Sequence, residues 1–272
     1  MSVRGAAAVA RVEASKLGAQ RKVWGLLAAC AVAPAVFVVA VGAQSSLPVD
    51  TLFGRWTKTS GFAAPLVVLG FASQWALPAM ASVVGGDILS SEDRYGTWKT
   101  VLTRSRTRAE VFAGKALAAL GFTALAVVVL GASSVAAGVL LVGRQPLVGL
   151  SGTELPPGRA AALVALAWAS ALPPTFAFTA LAMLLSAATR SSAAGVGLPV
   201  VAGLVMELSS LLDLPEGVRL SVLTSGFRGW HGLFTEHAFY GPIVYGAEVS
   251  AGYLAAGLVG AYVVLRRRDV GG

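Results

Sequence analysis

Six stretches of the chain are apolar over roughly 20 residues, separated by polar segments. They run at about Val23 to Ala43, Phe62 to Val84, Val111 to Val142, Ala160 to Ala187, Ala193 to Leu212 and Val249 to Leu265. About 20 helical residues, at about 1.5 Å each, cross the roughly 30 Å of hydrocarbon in a bilayer, and only a helix satisfies its own backbone groups there. The pattern therefore predicts an all-α integral membrane protein with six transmembrane helices. The third and fourth stretches are long enough to tilt or to run past the bilayer. Basic residues precede the first, and Val41-Gly42-Ala43 resembles a cleavage site, but its length exceeds the about 7–15 residues of a signal-peptide core. It reads as a retained span.

Composition agrees with this picture and narrows it. Of 272 residues, 56% are hydrophobic and 12% charged, about half the charged share of an ordinary soluble domain. No soluble block between the spans is long enough to bury its own core, so residues 1–272 read as a single membrane domain. Lys and Arg are distributed unevenly. One side of the membrane holds Arg4, Arg11, Lys16, Arg21, Lys22, Arg94, Lys99, Arg104, Arg106, Arg108, Lys115, Arg190, Arg266, Arg267 and Arg268; the other holds Arg55, Lys58, Arg144, Arg159, Arg219 and Arg228. Cytoplasmic loops are enriched in these residues, so the bias predicts both termini inside. The net charge of +8 lies beside membrane, with no long basic helix to follow a duplex; it points to phospholipid and a cytoplasmic partner and away from nucleic acid.

Features within the spans describe a packed bundle. Pro34, Pro65, Pro78, Pro173, Pro174 and Pro199 predict kinked helices, as tolerated kinks or as hinges. Gly131, Ala132, Ser133, Ser134, Gly195 and Gly197 allow close helix approach. Cys30, the one cysteine, excludes an intramolecular disulfide and reads as a small buried hydrophobe. Gln74 and Glu207 are polar positions inside spans, and such groups normally face a bundle interior or a cavity. Glu207 either lines a pathway or reaches the outer headgroups, and Gln74 either lines it or makes an interhelical hydrogen bond.

Two polar segments carry most of the remaining information. Residues 1–22 mix basic residues with Val12, Leu17 and Val23, the pattern of a helix lying on the inner interface, with a solvated tail as the alternative. Residues 85–110, between the second and third spans, carry both charge signs. There Trp98, Val101 and Leu102 fall at helical spacing, predicting an amphipathic helix with Arg104, Arg106 and Arg108 at or past its end, where cations complement the dipole. An exposed Trp on such a helix would suit docking of another protein.

The pattern Glu92, Gly96-Thr97, Leu102, Arg104, Arg108 and Gly114-Lys115 resembles the cytoplasmic loop of the type-2, exporter-type ABC transporter permeases. Ser105 stands near where many members have proline, and Val101-Leu102 replaces a leucine pair. The basic segment before the first span, the six-span layout and the Arg266-Arg267-Arg268 end extend the likeness, as layout, across nearly the whole chain. The resemblance implies a dimer with a second permease copy or paralogue, each docking an ABC ATP-binding subunit through a coupling helix. It assigns Glu92, Gly96, Thr97, Trp98, Lys99, Arg104 and Arg108 to that coupling element, and it places the pathway between the second and fifth spans, where Gln74 and Glu207 lie.

No phosphate-cradling loop occurs in the chain. Such a loop needs Gly, four residues, then Gly-Lys-Ser or Gly-Lys-Thr, whereas Gly114-Lys115 is followed by Ala116. No cofactor is therefore expected in the chain itself, with ATP and Mg on the partner subunit.

Residues 213–248, between the fifth and sixth spans, contain Phe227, Trp230, Phe234, Phe239, Tyr240 and Tyr245. They predict either an aromatic belt at headgroup depth or the interfacial or re-entrant outer element that the resemblance implies. His231 and His237 lie there without a third ligand at metal-binding spacing, so solvent or headgroup contact is expected and no metal site.

The expectation is a permease subunit of an ATP-driven ABC exporter in the cytoplasmic membrane, of bacterial type by its Ala-, Gly-, Val- and Arg-rich usage, with no catalytic residues of its own. An ATP-independent secondary transporter or channel is the alternative; it predicts paired half-chain repeats, and the second half has no counterpart to the loop between Ser90 and Arg108. An intramembrane enzyme would need a nucleophile with its base, or paired acids, at membrane depth, and the sequence offers neither.

Overall fold

The computed structural model describes residues 2–44, 52–98, 107–213 and 215–267. Helix α1, Val3–Gly18, precedes α2, Arg21–Ala43. The second apolar stretch comprises α3, Ala63–Phe71, a π-helical turn at Ala72–Ala76, and α4, Leu77–Gly85. A short α5, Ser90–Arg94, leads toward α6, Arg108–Leu141. A two-stranded antiparallel pair, β1 Leu147–Val148 with β2 Glu154–Leu155, bridges to α7, Pro157–Ser170, and α8, Leu172–Thr189. Then follow α9, Ser192–Ser209, the short α10, Glu216–Ser221, and α11, Gly241–Arg267.

Among the described residues, six helical runs are long and apolar enough to cross a membrane: Arg21–Ala43, Ala63–Gly85, Arg108–Leu141, Pro157–Thr189, Ser192–Ser209 and Gly241–Arg267. These are the six stretches expected, and their ends agree within a few residues except at the start of the last. That helix begins at Gly241 and not Val249, because Pro242 needs no partner for its missing N–H in a first turn, and Tyr245 and Glu248 lower the apolar character without breaking the helix. Both therefore belong to α11 and not to the preceding segment.

Prolines stand at the breaks within two spans and inside two others. Pro78 lies in the first turn of α4, just after the π-helical turn. Pro173 and Pro174 lie in the first turn of α8, where the fourth stretch breaks at Ala171. Pro34 and Pro199 stand inside α2 and α9. The chain turns from α8 to α9 through Arg190, at a positive φ of 56°, and the Ser191 hydroxyl then accepts from the Ala194 amide.

Small residues and short hydrogen bonds hold the bundle. A Cβ placed on Gly138 of α6 would lie 2.0 Å from the Gly61 carbonyl oxygen, so the backbones touch there. Gly195 packs on Gly86 and Gly131 under Trp168, whereas Gly197 faces open space. The Thr123 and Thr179 hydroxyls meet at 2.9 Å between α6 and α8. Ser133 donates to the Cys30 carbonyl from α6 to α2. Cys30 itself is buried, with its thiol against the Met80 sulfur.

The segment before α11 is a packed element. Leu223–Phe234 forms a 3-10 helix, in which residues three apart eclipse. Gly226, Gly229 and Gly232 consequently share one face, and there Gly226 and Gly229 let α11 approach at Gly246 and Pro242, while Phe239 closes over Gly232. A second face carries Phe227 and Trp230; Phe227 stacks on Phe178 of α8, and Trp230 stacks on Phe53. Phe227, Trp230 and Phe234 are buried, whereas Phe239, Tyr240 and Tyr245 are exposed. The aromatic segment thus divides into a buried plug and an exposed rim.

Candidate functional site

The polar loop after α4 is held by a buried ion-pair cluster. Lys115, in the first turns of α6, has no exposed side-chain surface. Its ammonium donates to Glu13 of α1 at 2.9 Å, to Glu92 of α5 at 2.8 Å and to the Ile88 carbonyl at 3.2 Å. All three ammonium protons thus have acceptors, which offsets the cost of burying the group. Lys16 closes the ring from the surface, donating to Glu13 at 2.8 Å and Glu92 at 3.1 Å.

Local sequence explains how Glu92 reaches this position. Helix α5 ends at Tyr95, and Gly96 then adopts a left-handed φ of 63°, the conformation that glycine takes most readily after a helix. The reversal brings Thr97 back over the helix. Its amide donates to the Glu92 carbonyl at 3.0 Å and its hydroxyl to the Glu92 carboxylate. Burial opposes ionisation of Glu92, but the Lys115 charge with hydrogen bonds from Lys115, Thr97 and Lys16 outweighs it and holds the carboxyl down at about 2. For Lys16, burial is outweighed by its two carboxylates and its pKa is raised.

A second cluster adjoins the first. Asp87 receives Lys22 of α2, Arg94 of α5 at 2.8 Å and the Ser192 hydroxyl of α9 at 2.7 Å. Burial is again overcome, by Lys22, Ser192 and Arg94, and the Asp87 pKa is lowered. Ser192 meets Ser90 at 2.7 Å, and the Ser90 amide donates to the Ser186 hydroxyl. Together the two clusters tie one short loop to α1, α2, α6, α8 and α9.

The residues assigned to the loop from sequence divide by position. Glu92, Gly96 and Thr97 form the buried turn. Trp98 is buried at 8% exposure, its indole N–H donating to Asp93 at 3.0 Å. The expectation of an exposed docking Trp is thereby corrected: Asp93, five residues back, supplies an acceptor that holds the ring inward, and Tyr95, 72% exposed, is the aromatic that faces out. Arg108 opens α6 and donates to the Arg266 carbonyl at 2.8 Å, at the end of α11. Lys99, Arg104 and Arg106, with Val101 and Leu102, lie outside the described residues, and so does the helix expected from them.

Sequence reasoning missed Glu13, Lys16, Asp87 and Ser192 as partners of this loop. A signal existed for one pair, because Glu13 is the lone acid in a basic segment and stands three residues before Lys16, a spacing at which helical side chains meet. Glu110 adds a further tie: it completes a capping box with Thr107 and accepts from the Ser2 amide at 2.9 Å, so α1 and α6 start together.

At the opposite end lies a cavity of about 200 Å³. It is bounded by α3 and the π-helical turn of the second span, by α9, and by the Leu223–Phe234 element. Gln74 and Glu207, singled out from sequence, both line it, with Phe71, Thr224, Phe227 and His231. Glu207 is ion-paired with Arg228, whose guanidinium also donates to Ser210 at 3.1 Å. That pair fastens the 3-10 element to α9. His231 lies against Trp230, with ring centres 4.3 Å apart, and burial together with Arg228 lowers its pKa to about 4. The His237 carbonyl accepts from the Thr235 hydroxyl. A π-helical turn costs hydrogen-bond regularity and is frequent where a helix serves a site; here it presents Gln74 to the cavity.

Six helices able to cross a membrane, with a charged loop tied to one end of the bundle, describe a multi-pass membrane protein. A family model for the ABC-2 family transporter proteins matches residues 10–206, which is most of the chain and takes in the second half of α1, the loop, the first four spans and all but the last three residues of the fifth. The chain belongs to the ABC-2 transporter family. Curated proteins offer no match.

Proposed function

We propose that this chain is the transmembrane permease subunit of an ATP-driven exporter, with α1 and the loop around α5 in the cytoplasm and the Leu223–Phe234 element on the outer side. ATP is bound and hydrolysed on a separate ATP-binding subunit, which docks on the loop at Tyr95 and beyond. A second permease copy or paralogue completes the pathway. The observation that carries this reading is the linkage of the loop. A surface loop needs no buried lysine, yet Lys115, Glu92 and Glu13 join it rigidly to the foot of the third span, Asp87 joins it to the first and fifth, and Ser90 joins it to the fourth. A push on such a loop moves helices together, because buried, fully paired polar groups resist separation.

Gln74 and Glu207 line the pathway, and the ion pair between Glu207 and Arg228 closes its outer end. The basic residues of α1, α5, α6 and α11 stand at the loop end of the bundle, as a cytoplasmic placement requires. To test the docking, a photo-crosslinking residue replaces Tyr95 in the full chain. It should capture a protein that carries the Gly-rich phosphate loop and hydrolyses ATP. The same residue at Tyr245, on α11, should not. An ATPase that co-purifies but crosslinks only from Tyr245 would overturn the assignment.

A further inference from the structure

A groove of about 530 Å³ runs between α1, α2 and α6, beside the loop but apart from both sites described above. Leu17, Leu27, Phe122 and Leu125 form its apolar walls, with Arg11 and Trp24 at the rim. Arg4 and Arg11 are seven residues apart and therefore share one stripe of α1, two turns from each other. Glu13 and Lys16 point from another side of the same helix to Glu92 and Lys115. Trp24 is 62% exposed, and its indole N–H donates to the Gly18 carbonyl at 2.8 Å, so the ring stands across the groove mouth. Trp at such a position marks the depth where hydrocarbon meets headgroups.

We infer that this groove seats an acyl chain of an anionic phospholipid from the leaflet on α1's side, with the phosphate held by Arg11 and, two turns on, Arg4. Charge complementarity selects the headgroup, because the rim carries cations and Glu13 and Glu92 are already paired inside. The apolar walls select a chain. A lipid in this seat presses α1 against α2 and α6 and so keeps Glu13 and Lys16 at Glu92, linking membrane composition to the position of the loop. The inference concerns lipid alone and stands whether or not an ATPase docks on the loop.

The full chain is reconstituted in phosphatidylcholine nanodiscs containing a minor fraction of brominated phosphatidylglycerol or, separately, brominated phosphatidylcholine. The signal is quenching of Trp24 fluorescence, taken as the difference from Trp24→Phe. The phosphatidylglycerol should be preferred about fivefold per basic contact. Arg4→Gln with Arg11→Gln, both exposed positions, should abolish that preference. Gly121 lines the groove and has nothing within 4 Å of its Cβ position, so Gly121→Leu should fill the seat without disturbing the fold and reduce quenching by both lipids. Equal quenching by the two lipids, a preference that survives the double Arg variant, or quenching unchanged by Gly121→Leu would each overturn the inference.

Discussion

Replacing Lys115 by Met keeps the bulk of the side chain but leaves two carboxylates facing each other under α6. Lys115 is completely buried, and Glu13 and Glu92 expose 8% and 6% of their side chains. Removing one partner of such a pair costs about 3–5 kcal/mol, because the remaining charge is buried without compensation. The Glu92 carboxyl, held against the cost of burial at about 2 rather than an ordinary 4.5, chiefly by Lys115, points in the same direction. In thermal unfolding in detergent at pH 7, Lys115→Met should lose roughly 10 °C. Glu13→Gln combined with Glu92→Gln and Lys115→Met should recover a good part of the loss, since no unpaired charge remains.

The sign of the pH dependence follows from the lowered Glu92 pKa. Its contribution is fully present above about 4.5 and fades as pH falls toward 2, because the unfolded chain takes up the proton first. Wild-type stability should therefore decline more steeply than that of Glu92→Gln between about pH 5 and pH 3. A melting temperature for Lys115→Met within about 2 °C of wild type would refute the reasoning, as would a triple variant no more stable than the single one.

Other variants test the packing and the cavity. Gly138→Ala brings a methyl within 2.0 Å of the Gly61 carbonyl oxygen and should cost about 1–3 kcal/mol, read as a lowered melting temperature, whereas Gly121→Ala should be neutral or gain up to about 1 kcal/mol. Thr179→Val takes from the Thr123 hydroxyl its partner across the helices, whereas the Thr179 hydroxyl also donates to the Thr175 carbonyl. The change should cost about 1 kcal/mol; the double change to Val at both positions should be milder, as a double-mutant cycle would show. Arg228→Gln releases the tie to Glu207 and Ser210, so a cysteine at Thr224, in the cavity wall, should be labelled severalfold faster by a water-soluble maleimide.

The spans were readable because length and apolarity suffice to define them, and the short helix before the first span was readable from its mixed basic and apolar pattern. Gln74 and Glu207 could be marked as candidates since polar groups inside spans are costly; that they face one cavity depends on a π-helical turn no periodicity announces. The glycines of the 3-10 element recur every third residue, a pattern visible in Gly226, Gly229 and Gly232 but masked by the aromatics between them. Lys115 was least legible. Beside an apolar span a lysine resembles any edge charge, and only partners distant in sequence, Glu13 102 positions away and Glu92 23 positions away, make it an interior one. Trp98 was misjudged for a similar reason, since its burial depends on a local acceptor at Asp93 and on the reversal at Gly96.

The most direct measurement is a structure of the assembled transporter with its ATP-binding subunits, with and without bound ATP. The account predicts that the surface around Tyr95 sits in a cleft of the ATP-binding subunit, and that Glu92 and Lys115 stay paired while the loop moves with the foot of α6. Tyr95 on the opposite side of the membrane from that subunit, or facing solvent with nothing docked against it, would contradict the account.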